Sequence, residues 1–238
     1  MPDLNLPFEE NSLLTYLARP EGAAPRPGVV VIHDALGMSS DLRRQCDWLA
    51  DEGYLAAAPD LFDGRTFFGC LFKVVREIKK REGTLFRKVE AVQQYLLNYP
   101  DSNGKVGVIG FCFGGGFAVI LSAGYGFDAA SVNYGGLPDD AEILLEKACP
   151  IVASYGALDR TLKGVAPRLD DILTRHGIDH DVKEYRQTDH AFMNDHDPGE
   201  IPLFIKVFSF VFGGGAYHAE SARDSRRRII TFFDRYLK

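Results

Sequence analysis

The feature that most constrains the fold is a set of short apolar runs that do not alternate with polar residues. Gly28-Val-Val-Val-Ile-His33 is the clearest, and segments 54–58, 105–109, 129–133 and 150–154 resemble it. Runs of this length, closed by Gly, Pro or polar turns, read as strands covered on both faces. Helical spacing falls between them. Ser40 or Asp41 can cap a helix with Leu42, Cys46 and Leu49 on one face. Residues 61–69 look irregular. A helical stretch follows them, breaks near Gly83 and resumes with Leu85, Val89, Val92 and Leu96 aligned. Further helices fit 114–123, 166–176 (ended by Gly177) and 221–237, and 179–185 reads as one more strand. Strands alternating with helices predict an α/β fold, a mainly parallel sheet with helices on both faces. Such folds place their chemistry at the carboxyl ends of strands.

At one of those ends stands Gly110-Phe-Cys-Phe-Gly114, followed by two more glycines. This is the G-x-[S/C]-x-G turn in which a nucleophile is held on a strained strand-to-helix corner, here with Cys112 in that place. Glycines relieve the crowding at the corner, and the free amides and dipole of the following helix favour a thiolate. The bland alternative is a structural cysteine in a glycine-rich turn. The segment lacks the middle glycine of a dinucleotide-binding G-x-G-x-x-G loop.

A corner of this kind is followed in sequence by an acid and then a base. Asp159 stands in Tyr155-Gly-Ala-Leu-Asp159 after the strand at 150–154, and His190 follows the strand at 179–185. Each could instead be a solvated turn residue, but their order and placement fit a nucleophile, acid and base. His196 is the rival base. His176 and His180 are separated by a helix-breaking glycine, which argues against a metal site. The loop His33-Asp-Ala-Leu-Gly37 follows the first buried strand. There the amide of Ala35 could join that of Phe113 in an oxyanion hole, with Asp34 as an auxiliary acid.

Together these residues resemble the dienelactone hydrolase family, the cysteine-nucleophile branch of the α/β-hydrolases. The resemblance runs from Leu14-Thr-Tyr-Leu-Ala-Arg-Pro20 to Phe233 and includes Ala58-Pro-Asp-Leu-Phe62 and Asp189-His-Ala-Phe192. It implies an α/β-hydrolase fold and a Cys112–His190–Asp159 triad acting on small esters or lactones without a cofactor. In well-known members a glutamate at the Asp34 position holds the resting thiol, and aspartate is one methylene shorter. Members that bind dienelactone hold its carboxylate with arginines. One such place corresponds to Asn194, and Arg65 or Arg76 is a candidate for the other. A second functional reading keeps the fold but makes Cys112 a redox-sensing thiol without catalysis.

The chain has 238 residues, and 27 basic against 33 acidic residues give a net charge of −6, which offers no general attraction for nucleic acid. No apolar run approaches membrane-spanning length and no signal segment opens the chain, so a cytoplasmic location is expected. The four cysteines, Cys46, Cys70, Cys112 and Cys149, show no metal-site or disulfide spacing. One α/β-hydrolase domain is expected over 1–238. Residues 196–217 read either as a cover over the pocket or as a loop packed on the core. The sequence says nothing about oligomeric state.

Overall fold

The computed structural model describes residues 3–22, 25–65, 67–202 and 216–238. Among them eight strands join in one sheet: β1 (Asp3–Phe8), β2 (Asn11–Ala18), β3 (Arg26–Ile32), β4 (Leu55–Pro59), β5 (Ser102–Phe111), β6 (Ala129–Asn133), β7 (Ile151–Gly156) and β8 (His180–Tyr185). Their spatial order is β1-β2-β4-β3-β5-β6-β7-β8. Strands β3 to β8 pair in parallel, whereas β1 with β2 and β2 with β4 are antiparallel. The antiparallel pair at the amino end is absent from the sequence reading. Its strands lie at the sheet margin and are only partly buried, so they carry no unbroken apolar run.

Among the described residues seven α-helices flank the sheet: α1 (Ser40–Asp51), α2 (Phe67–Lys80), α3 (Thr84–Leu97), α4 (Phe113–Leu121), α5 (Ala141–Leu144), α6 (Val165–His176) and α7 (Ala219–Leu237). The residues of β3 show why its run is apolar throughout. Val30 and Ile32 join the core beneath α3, α4 and α6, while Val29 and Val31 join the core beneath α1 and α7. Side chains alternate across a strand, so a strand buried on both sides needs apolar residues at every position. The cap of α1 is Ser39, whose hydroxyl accepts from the Leu42 amide at 3.2 Å, rather than Ser40 or Asp41. Those two side chains are engaged with Asp197 and Asn194 instead.

Because β3, β5, β6, β7 and β8 run in parallel, their carboxyl ends face one edge of the sheet. The loops that follow them therefore converge there. The expected cover at 196–217 falls largely on 203–215, outside the described residues. No helix among the described residues is long and apolar enough to cross a membrane.

Candidate active site

The corner between β5 and α4 is very tightly built. A Cβ on Gly110 would lie 1.9 Å from the Gly114 carbonyl oxygen, and one on Gly114 would lie 2.4 Å from the Ile32 carbonyl oxygen. Only hydrogen fits at either place, so α4 can start directly against the end of β3. Between them Cys112 is held at φ 55° and ψ −114°, a left-handed conformation costly for a residue with a side chain. Its amide donates to the Asn133 carbonyl at 3.0 Å, and its carbonyl accepts from the Gly116 amide at 3.0 Å. Tyr134 (φ 41°) and Ala191 (φ 60°) share the left-handed region. Three of the six non-glycine residues with positive φ among the described residues therefore meet near this corner, and Glu9, Asp63 and Arg81 are the others.

His190 lies between Asp159 and Cys112. Its Nδ1 meets Asp159 Oδ2 at 2.6 Å, and its side chain is also hydrogen-bonded to Cys112. With Nδ1 committed to the carboxylate, Nε2 is the nitrogen left for the sulfur. The other Asp159 oxygen accepts from the Thr161 amide at 2.8 Å and its hydroxyl at 2.6 Å. Burial opposes ionisation of Asp159, but the bonds from His190 and Thr161 outweigh it and hold the carboxyl below its ordinary range. Burial also opposes a charged His190. The hydrogen bonds and charges of Asp159 and Cys112 prevail and push the ring up to about 10. Elsewhere burial pushes thiols up, that of Cys149 to about 12 and that of Cys46 further still.

The auxiliary acid and the rival base meet each other. Asp34 Oδ2 pairs with His196 Nε2 at 2.7 Å, and Asp34 Oδ1 accepts from the Leu36 amide at 2.8 Å. Burial opposes charge on His196, yet the Asp34 bond, helped by Asp41 and Glu200, raises it. Both oxygens of Asp34 thus have partners other than the thiol. Ala35 lies in this loop and Phe113 opens α4, so the two stand on the adjacent ends of β3 and β5.

The structure corrects the placement of Asn194 as a substrate contact. Asn194 is buried, its amide nitrogen donates to Asp41 Oδ2 at 2.6 Å, and its carbonyl oxygen accepts from the Tyr134 hydroxyl. Both ends of the amide are already used, and the result is to anchor the loop that carries His190. Gln45 adds to the anchor by donating to the Met193 carbonyl at 3.0 Å. Asn194→Leu would leave a buried carboxylate and a buried phenol short of partners. A loss of about 2–4 kcal/mol in urea unfolding is expected, and a loss below about 0.5 kcal/mol would contradict the anchoring role. Arg65 and Arg76 are exposed, and no bond among the described residues joins either to the Cys112 cluster. Arg65 does border the loop after β3, its carbonyl lying 3.8 Å from where a Cβ on Gly37 would be.

Sequence reasoning missed Tyr134. Its ring meets the His190 ring edge-on at 5.4 Å, and its hydroxyl bonds Asn194. The signal was available, since Tyr134-Gly-Gly136 directly follows a buried strand. His176 and His180 turn to separate partners, Glu142 and Asp170, and no group of metal-ligating side chains occurs among the described residues.

Comparison with known proteins places the chain in a family. The model of the dienelactone hydrolase family matches residues 13–237. The chain belongs to the dienelactone hydrolase family. A chain from Aquifex aeolicus, provisionally assigned as a carboxymethylenebutenolidase, is 31% identical over 251 residues, covering 97% of each chain. The carboxymethylenebutenolidase of Pseudomonas putida is 27% identical over 190 residues, 75% of this chain and 80% of that one. Among solved structures, a metagenomic dienelactone hydrolase-like promiscuous phosphotriesterase superposes with a TM-score of 0.80 at 23% identity, covering 100% of this chain and 98% of that one. A provisionally assigned dienelactone hydrolase from Klebsiella pneumoniae superposes at 0.77 and 24% identity, covering 99% and 98%. These structures share the fold. As a member of the dienelactone hydrolase family, the protein is a hydrolase of the α/β-hydrolase fold.

Proposed function

We propose that this dienelactone hydrolase family member cleaves small neutral esters and lactones through an acyl-cysteine intermediate. The observation that carries the reading is the continuous chain from Asp159 through His190 to Cys112, with a 2.6 Å bond at its acidic end. In the first step His190 takes the Cys112 proton. The sulfur attacks the acyl carbon, the C–O bond breaks, and His190 gives its proton to the departing alkoxide. Once the sulfur is a neutral thioester, His190 has lost the charge that held its proton, so its basicity falls. It can then take a proton from water. The hydroxide attacks, the thiolate leaves, and acid and alcohol are the products. Asp159 holds the ring in the required tautomer and supports its positive form. The amides of Ala35 and Phe113 are the proposed donors to the oxyanion, and no cofactor takes part in the scheme.

Neutral substrates are favoured because a carboxylate needs a charged donor, and the Asn194 amide is consumed by Asp41 and Tyr134. The test is a panel of neutral esters and lactones beside dienelactone, with wild type, Cys112→Ala and Arg65→Ala. The expected kcat/KM for matched neutral lactones exceeds that for dienelactone at least tenfold, a difference of about 1.4 kcal/mol. The reverse order, or selective loss of anionic substrates in Arg65→Ala, would assign the carboxylate to Arg65 and overturn the neutral preference.

A further inference from the structure

Asp34 is held by its chain neighbours His33 and Leu36 and by the distant His196. Its main-chain carbonyl lies 2.8 Å from His33 Nδ1, and the other ring nitrogen, Nε2, accepts from the Leu61 amide at 3.2 Å. Nε2 is therefore unprotonated and Nδ1 carries the hydrogen. Burial, which lowers the His33 pKa, agrees with this neutral ring. The Asp34 side chain accepts from the Leu36 amide on one oxygen and meets His196 on the other. The peptide bond is planar and trans, so a carbonyl fixed toward His33 aims the Ala35 N–H the opposite way. His196 belongs to the segment that follows His190, and that segment is anchored to α1 through Asn194 and Asp41. One side-chain pair thus ties the loop after β3 to the loop carrying the base.

We propose that His196 is a positioning residue. By gripping Asp34 it fixes the 34–35 peptide, and with it the oxyanion donor, against the turn that carries Cys112. This inference rests on the acyl-cysteine reading above. The role is geometric, so it bears on kcat more than on KM and leaves the reactivity of the sulfur itself alone. Removing an oxyanion donor costs about a hundredfold or more in kcat, and loosening one costs less.

The experiment compares His196→Ala, Asp34→Ala, the double variant and His196→Gln in ester turnover, beside alkylation of Cys112 by iodoacetamide, which uses no oxyanion site. In His196→Ala, kcat is expected to fall roughly thirtyfold, with KM within threefold and alkylation within twofold of wild type. The double variant should lose no more than Asp34→Ala alone, because His196 acts through Asp34. His196→Gln, whose amide can donate to the carboxylate, should recover kcat to within about fivefold of wild type. If His196→Ala does not fold, Asp34→Asn replaces it. It keeps an acceptor for Leu36, presents an amide to His196, and should lower kcat at least fivefold. A wild-type kcat in His196→Ala or in this replacement, multiplicative losses in the double variant, or alkylation falling in step with kcat would overturn the inference while Cys112→Ala stays inactive. Turnover that survives in Cys112→Ala would instead overturn the acyl-cysteine reading and this inference with it.

Discussion

Cys112→Gly will abolish ester turnover and leave the protein at least as stable as wild type. The loss should exceed a thousandfold, because the attacking atom is gone and only binding and oxyanion contacts remain. The stability outcome follows from the backbone. Cys112 sits at φ 55° and ψ −114°, where a side chain costs of order 1–3 kcal/mol. Glycine removes that strain, and its extra freedom in the unfolded chain takes back about 1 kcal/mol. Urea unfolding should therefore show no loss, and a gain of about 1 kcal/mol is the central expectation. A variant destabilised by more than about 1 kcal/mol would mean that the corner is held by contacts of the sulfur rather than imposed by its neighbours. In wild type, iodoacetamide should label Cys112 well before Cys46 and Cys149, whose thiols burial keeps protonated.

His190→Gln will also remove turnover, by at least a hundredfold, and will flatten the alkaline limb of the stability profile. Partners raise the folded-state pKa of His190 from an ordinary 6.5 to about 10. A raised basic group contributes its full stability below the unfolded value and loses it as pH rises through the folded one. Wild type should therefore lose stability between about pH 6.5 and 10, and His190→Gln should lose less. Asp159 has the opposite sign. Its pKa is lowered from 3.8, so its contribution is present above that value and is lost on acidification. Melting temperatures at pH 7 and pH 10 provide the check, since 1 kcal/mol corresponds to about 2–4 °C in a chain of this size. Equal slopes in wild type and His190→Gln would show that the His190 charge is not coupled to folding.

The parts that sequence made legible share one property: each depends on a few consecutive residues. The apolar runs of β3, β4 and β5 are readable because a strand buried on both faces has no polar position. The Cys112 corner is readable because its glycines are demanded by contacts within a few ångströms of the turn. The antiparallel β1–β2 pair escaped notice because half-exposed marginal strands satisfy no strict pattern. Asn194 was misplaced for a different reason. Its position is one at which the family resemblance implies a substrate-binding arginine, and nothing local shows that Tyr134 and Asp41 take up its amide.

The sequence by itself determined the alternation of strands and helices and the order in which Cys112, Asp159 and His190 follow strand ends. Parallel strands then necessarily deliver those loops to one edge of the sheet. Only the tertiary structure decided how side chains pair across that edge. Asp34 could have faced the thiol or another loop, and His196 could have been a second base. Both are small polar groups on loops far apart in the chain, so no local preference distinguishes the outcomes. Their 2.7 Å pairing follows from the anchoring of one loop by Asn194 and the clamping of the other by His33. A buried carboxylate takes the partner that the assembled backbone brings within reach, and that backbone exists only in the folded chain.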